Sequence, residues 1–82
     1  MEMEPMRIIL AEDDELVAAG LVDAFQRAGY SVDRVRDGEA AEASIRDTDY
    51  DVAVLDLGLP LLDGVELIRR LRRGASKLPI LV

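Results

Sequence analysis

Three stretches of this chain are short and continuously apolar: Ile8–Ala11, Val52–Leu55, and Ile80–Val82 after Pro79. Runs of that kind read as strands buried on both faces of a parallel sheet. A fourth stretch, Ser31–Val35, is short and more polar, as suits a sheet edge. Between them the apolar period changes to three and four. Val17, Leu21, Ala24, Phe25 and Ala28 form one helical stripe, which predicts a helix from Asp14 or Glu15 to Ala28, with Gly29 where a left-handed cap belongs. Asp37-Gly38 opens a second helix to about Arg46, with Ala41 and Ile45 on one face. Asp63 caps a third, with Glu66 at capping-box spacing and Val65, Ile68 and Leu71 as its apolar face. Arg69, Arg70, Arg72 and Arg73 crowd its last turn, where cations suit the helix dipole, and Gly74 stops it. The order β-α-β-α-β-α-β, in units of roughly 24 residues, predicts right-handed crossovers and a doubly wound α/β domain with helices on both faces.

Composition narrows the chemistry. The chain has 82 residues, so it holds one domain at most, with a core of marginal size. It has no Cys and no His, which removes disulfides, thiolate metal sites and imidazole bases and leaves carboxylates as metal ligands. Ten basic residues against 17 acidic ones give a formal charge of −7. Direct contact with nucleic acid or an anionic membrane is disfavoured, and a hard cation is the more natural partner. No apolar run is long enough to span a bilayer and no secretion signal opens the chain, so a cytoplasmic location is expected. Residues 1–5 are expected to be a disordered lead to a domain over 6–82.

The candidate chemistry centres on Asp56, which ends the third strand with Leu55 before it and Leu57 after it. A carboxylate among apolar residues must neutralise, pair, or meet a cation. In open α/β sheets, ligands bind at the carboxyl ends of strands. If the first and third strands are neighbours, Glu12 and Asp13 converge on Asp56, and three carboxylates in one pocket call for a divalent ion. Mg²⁺ is expected, because it takes a few carboxylates and a carbonyl and leaves other positions to water and phosphoryl oxygens. Asp56 could then serve as a nucleophile.

Plainer readings stand beside this one. The acids from Glu12 to Glu15 also suit a helix N-terminus, and Asp63-Gly64 is sufficiently explained as a cap and turn. The run Asp47-Thr48-Asp49-Tyr50-Asp51 imitates a calcium loop but has Val52 where Gly is needed and Gly58 where an acid is needed. The Arg cluster reads as a solvated helix end. No Gly-rich phosphate loop is present.

Together, Glu12-Asp13 after the first strand, Asp56 after the third, Pro60 four residues on, and Asp63-Gly64 at seven and eight resemble the receiver domains of bacterial two-component response regulators. The strings IILAEDDELV and VAVLDLGLPLLDG look most like the OmpR/PhoB-type subgroup. The resemblance implies a flavodoxin-like sheet of order 2-1-3-4, here without the fifth strand, the last two helices, or the Ser/Thr and Lys of the switch. It implies Asp56 as phosphoacceptor from a sensor histidine kinase, with Mg²⁺ on Glu12, Asp13, Asp56 and the Gly58 carbonyl. Pro60 and Gly64 would shape the loop. The expected role is a phosphoacceptor switch, not an enzyme with a diffusible substrate, controlling an output domain that binds DNA. Two alternatives are a truncated or degenerate receiver acting as a dimerisation module through its open fourth-strand edge, and a Mg²⁺-dependent phosphohydrolase. The hydrolase commonly places a second Asp two residues after the nucleophile, where this chain has Gly58.

Overall fold

The computed structural model describes residues 4–74 and 76–82. The expected lead therefore lies partly outside the described residues; Glu4 and Pro5 are exposed and belong to no regular element. In chain order the elements are β1 (Arg7–Ala11), α1 (Glu15–Arg27), β2 (Ser31–Val35), α2 (Gly38–Asp47), β3 (Val52–Leu55), α3 (Gly64–Arg73) and β4 (Ile80–Leu81). The strands form one parallel sheet in the order β2-β1-β3-β4. This is the predicted doubly wound arrangement.

The register follows from which strand faces must be buried. Ile9 pairs with Ala53 and Ala11 with Leu55, so their side chains share one face of the sheet. Against that face lie Ala41 of α2 and Leu67 and Leu71 of α3, which with Leu59 and Leu62 make the main core. Ile8 and Leu10 point to the opposite face and are buried with Ala18 of α1 outside that cluster. Each fully buried Leu or Ile removes enough apolar surface to be worth about 2 kcal/mol, so the central strand pair anchors the fold.

Each helix starts at an Asp whose side chain accepts the N–H groups that no helical carbonyl can reach. Asp14 accepts from Leu16 and Val17, Asp37 from Ala40, and Asp63 from Glu66. Gly29 takes the left-handed conformation after α1, at φ 94°.

Two helical faces differ from their predicted ones. In α1 the residues turned inward are Ala18, Leu21, Val22 and Phe25, whereas Val17, Ala24 and Ala28 are exposed. Apolar residues cover so wide an arc of this helix that periodicity alone could not choose the stripe. Packing beside β2 chose it. In α3 the inward residue of the second turn is Leu67, and Val65 is exposed. Gly64 sits too close to Leu57 for a side chain, and Leu67, three residues on, is fully buried in the core.

Candidate functional site

The pairing Ala11↔Leu55 brings the ends of β1 and β3 side by side. Backbone bonds then carry the alignment into the loops. The Asp56 N–H donates to the Ala11 carbonyl at 3.0 Å, and the Glu12 N–H donates across the other flank to the Val35 carbonyl at 3.1 Å. As a result, Glu12, Asp13 and Asp56 each offer a carboxylate oxygen within 4.8 Å of the others. Glu12 and Asp56 are half-buried and Asp13 is exposed.

Burial first, and the facing Asp56 carboxylate second, push the Glu12 carboxyl above the usual carboxylate range. A like charge at close range disfavours ionisation, and a cation reverses that preference. None of the three carboxylates forms an ion pair with an Arg or Lys among the described residues. The donor set is all oxygen, and ligands at about 2.1 Å from a central ion lie roughly 3–4 Å apart, so small side-chain adjustments suffice for Mg²⁺.

The loop after β3 is shaped by contacts on both sides. The Gly58 N–H donates to Asp56 Oδ1 at 3.0 Å and orients the carboxylate. Leu59 and Leu62 are buried, pinning the loop into the core. Between them the Pro60 carbonyl accepts from the N–H of Leu62 at 2.8 Å and of Gly38 at 3.2 Å. Gly64 donates to the Leu57 carbonyl at 3.1 Å, and a Cβ on it would lie 2.9 Å from Leu57 Cα and 3.0 Å from the Asp56 carbonyl oxygen. The loop crosses too closely there for a side chain.

Two residues at this end escape a reading of the sequence. Gly38 appears only as a helix start, yet a Cβ on it would fall 1.7 Å from the Leu62 carbonyl oxygen, so the loop rests directly on the first turn of α2. Its Asp-Gly step is the one available signal. Arg34 of β2 reaches across to the Glu12 carbonyl, and nothing local in the sequence tells where its guanidinium goes. The calcium-loop imitation at Asp47–Asp51 is occupied otherwise: the Asp51 carboxylate accepts the Arg7 backbone N–H at 2.7 Å, and Tyr50 donates to Asp33 at 2.6 Å.

Comparison with known proteins agrees with this geometry. The family described as response regulator receiver domain matches residues 8–82. The transcriptional regulatory protein QseB of Haemophilus influenzae is 40% identical over 77 residues, covering 94% of this chain and 35% of its own length. BasR of Escherichia coli, also named a transcriptional regulatory protein, is 42% identical over 77 residues with the same coverage. The chain thus spans about a third of the length of these relatives. Among solved structures, the receiver domain of Francisella response regulator 1452 superposes with a TM-score of 0.89 at 31% identity, covering 92% of this chain and 62% of that one. The response regulator TrrA of Thermotoga maritima superposes with a TM-score of 0.86 at 27% identity, covering 92% and 65%. With sequence, sheet order and the acidic cluster in agreement, this chain belongs to the receiver domain family of two-component response regulators.

Proposed function

We propose that this chain accepts a phosphoryl group on Asp56 from the phosphohistidine of a sensor histidine kinase, with Mg²⁺ held by Glu12, Asp13, Asp56 and the Gly58 carbonyl. The observation that carries the reading is the convergence of three carboxylates, none of which forms an ion pair with an Arg or Lys among the described residues. TrrA, one of the structural relatives, was solved in complex with Mg(2+)-BeF. Bound Mg²⁺ would offset the charge gathering between the incoming phosphoryl group and the acids.

The chain's own residues supply position. The Gly58 N–H engages Asp56 Oδ1, leaving Oδ2 as the nucleophile. An Oδ2–phosphorus bond forms as the phosphorus–nitrogen bond of the donor breaks, and the donor leaves as neutral imidazole, keeping the proton already carried by its other ring nitrogen. Glu12 and Asp13 would hold the ion and take no part in proton transfer. Pro60 and Gly64 would shape the loop that carries the Gly58 carbonyl. The protein modifies itself and releases no product but the dephosphorylated donor. Gly58, where a hydrolase of this type has its acid, favours a switch over an enzyme.

Incubation with a small phosphoramidate donor tests the reading. The expected result is one added phosphoryl group by mass, dependent on Mg²⁺, labile to hydroxylamine as an acyl phosphate is, and absent in Asp56→Asn. Equal phosphorylation of Asp56→Asn would overturn it.

A further inference from the structure

The peptide bond between Glu12 and Asp13 joins two of the candidate metal ligands, and its orientation is set from another strand. Arg34 of β2 sits beside Leu10 in the sheet register. Its Nε–H and Nη2–H both donate to the Glu12 carbonyl oxygen, at 2.9 and 2.7 Å. The remaining nitrogen, Nη1, bonds both carboxylate oxygens of Glu15 at 3.2 Å, at the start of α1. The Arg34 side chain is only 15% exposed, so this fork is not a loosely solvated ion pair. The Glu12 N–H is meanwhile held by the Val35 carbonyl. Both polar groups of the Glu12 backbone are therefore tied to consecutive residues of β2.

We infer that Arg34 is a positioning residue for the Mg²⁺ pocket: by clamping the Glu12–Asp13 peptide plane it fixes the directions in which the two carboxylates leave the backbone. Rotation of that plane changes ψ of Glu12 and φ of Asp13 together, which would swing both side chains away from Asp56. A guanidinium suits the task because its donors form a rigid planar fork, whereas an ammonium offers a single pivoting point charge. Arg36 also pairs with Glu15 but makes no contact with the Glu12 carbonyl, so it is the natural comparison.

The inference rests on the metal reading above, and its test keeps the two apart. The sign of the effect separates positioning from simple electrostatics. Arg34 is a cation near a pocket proposed to bind a cation, so a role through charge alone means that its removal tightens Mg²⁺ binding. A positioning role means that removal weakens it. Mg²⁺ titration of the full chain, followed by heat or by competition with Mn²⁺, should show saturable binding that Asp13→Asn weakens; absence of binding in the unsubstituted protein would overturn the metal reading itself and the inference with it. Given binding, Arg34→Met, which keeps the stem and loses the donors, should weaken affinity about tenfold, the scale typical of a lost supporting hydrogen bond to a ligand. Arg34→Lys should recover part of that loss, and Arg36→Met should leave affinity unchanged or slightly tighter. Circular dichroism establishes that each variant is folded. An Arg34→Met protein that is folded and binds Mg²⁺ as tightly as the parent overturns the inference. Should Arg34→Met be unfolded, Arg34→Lys decides: weakened binding in the folded protein, despite the retained charge, supports the clamp, and parental affinity refutes it.

Discussion

The two ends of the sheet both carry clustered acids and treat them in opposite ways. Toward the start of the strands, Asp33 and Asp51 are both engaged. Asp33 accepts from Tyr50 at 2.6 Å and from Arg7 at 3.3 Å, Asp51 accepts the Arg7 backbone N–H, and the Arg7 guanidinium also lies 5.4 Å from the centre of the Tyr50 ring. Where the strands end, Glu12, Asp13 and Asp56 face one another, Asp56 accepts only a backbone N–H from Gly58, and among the described residues no Arg or Lys forms an ion pair with any of the three. The first arrangement is complete as it stands, whereas the second is held in place by backbone bonds and lacks its counter-charge. Pockets that bind and switch keep such unresolved charge, and ends that only close a fold resolve it.

Substitutions and ligands should separate the ends by sign as well as size. The largest effect expected is from Mg²⁺: at a hundredfold excess over its Kd, it should stabilise the protein by about 2.7 kcal/mol, seen as a rise in Tm. Asp13→Asn should remove most of that rise. A Tm indifferent to Mg²⁺ would leave the strand-end cluster as mere surface acid.

Next in size is a pair of neutralising substitutions with opposite outcomes. Asp33→Ala should cost about 1–2 kcal/mol in a denaturant melt, because Tyr50 and Arg7 lose a shared acceptor. Asp56→Asn in metal-free protein should instead stabilise by a few tenths to about 1 kcal/mol, since it relieves repulsion at a half-exposed site. Destabilisation by both would erase the contrast between the two ends.

Titration adds a third comparison. Burial first, and the hydrogen bond to Asp33 second, push the Tyr50 phenol up to about 12 from its usual 10.0. The protonated form is the one the fold uses, so its contribution to stability is full below pH 10.0 and is lost as pH rises through about 12. Ultraviolet titration should find a phenol ionising near that value, and Tyr50→Phe should abolish it. At the other end Glu12 also prefers its proton, so in metal-free protein its contribution is full below pH 4.5 and is lost as pH rises through the raised value. Saturating Mg²⁺ should remove that acid-side gain, because the ion takes the proton's place.

A further modest effect lies in the loop itself. Leu61 holds a left-handed φ of 68° and is 74% exposed. A branched side chain is disfavoured there, while Gly carries its own entropy cost in the unfolded chain, so Leu61→Gly should gain about 0.5–1 kcal/mol. An unchanged or lowered Tm would show that the exposed Leu side chain makes up for its backbone.

Much of the fold was legible because its signals are local. Short apolar runs, three Asp caps and Gly29 placed every element within a few residues of its observed bounds. The helical faces were less legible. Ala18 and Leu67 are inward although neither belonged to its predicted stripe, since a helix with a wide apolar arc takes its orientation from the surface it meets. Of the candidate site, Glu12, Asp13 and Asp56 could be named from residue type and spacing, and the structure brings them together. Pro60 and Gly64 could be named as loop-shaping, but two long-range supports could not: Gly38 meets Leu62 across 24 positions of sequence, and Arg34 meets Glu12 across 22.

The sequence by itself determined the alternation of strands and helices, the sheet order expected from the family resemblance, and the identity of the three converging acids, because each depends on short-range patterns or on motif spacing. Only the tertiary structure decided which faces α1 and α3 bury, that the β3–α3 loop rests on Gly38, and that Arg34 clasps the Glu12 carbonyl. Those depend on where one element lies against another, and a guanidinium reaching across strands leaves no periodicity in the chain that carries it.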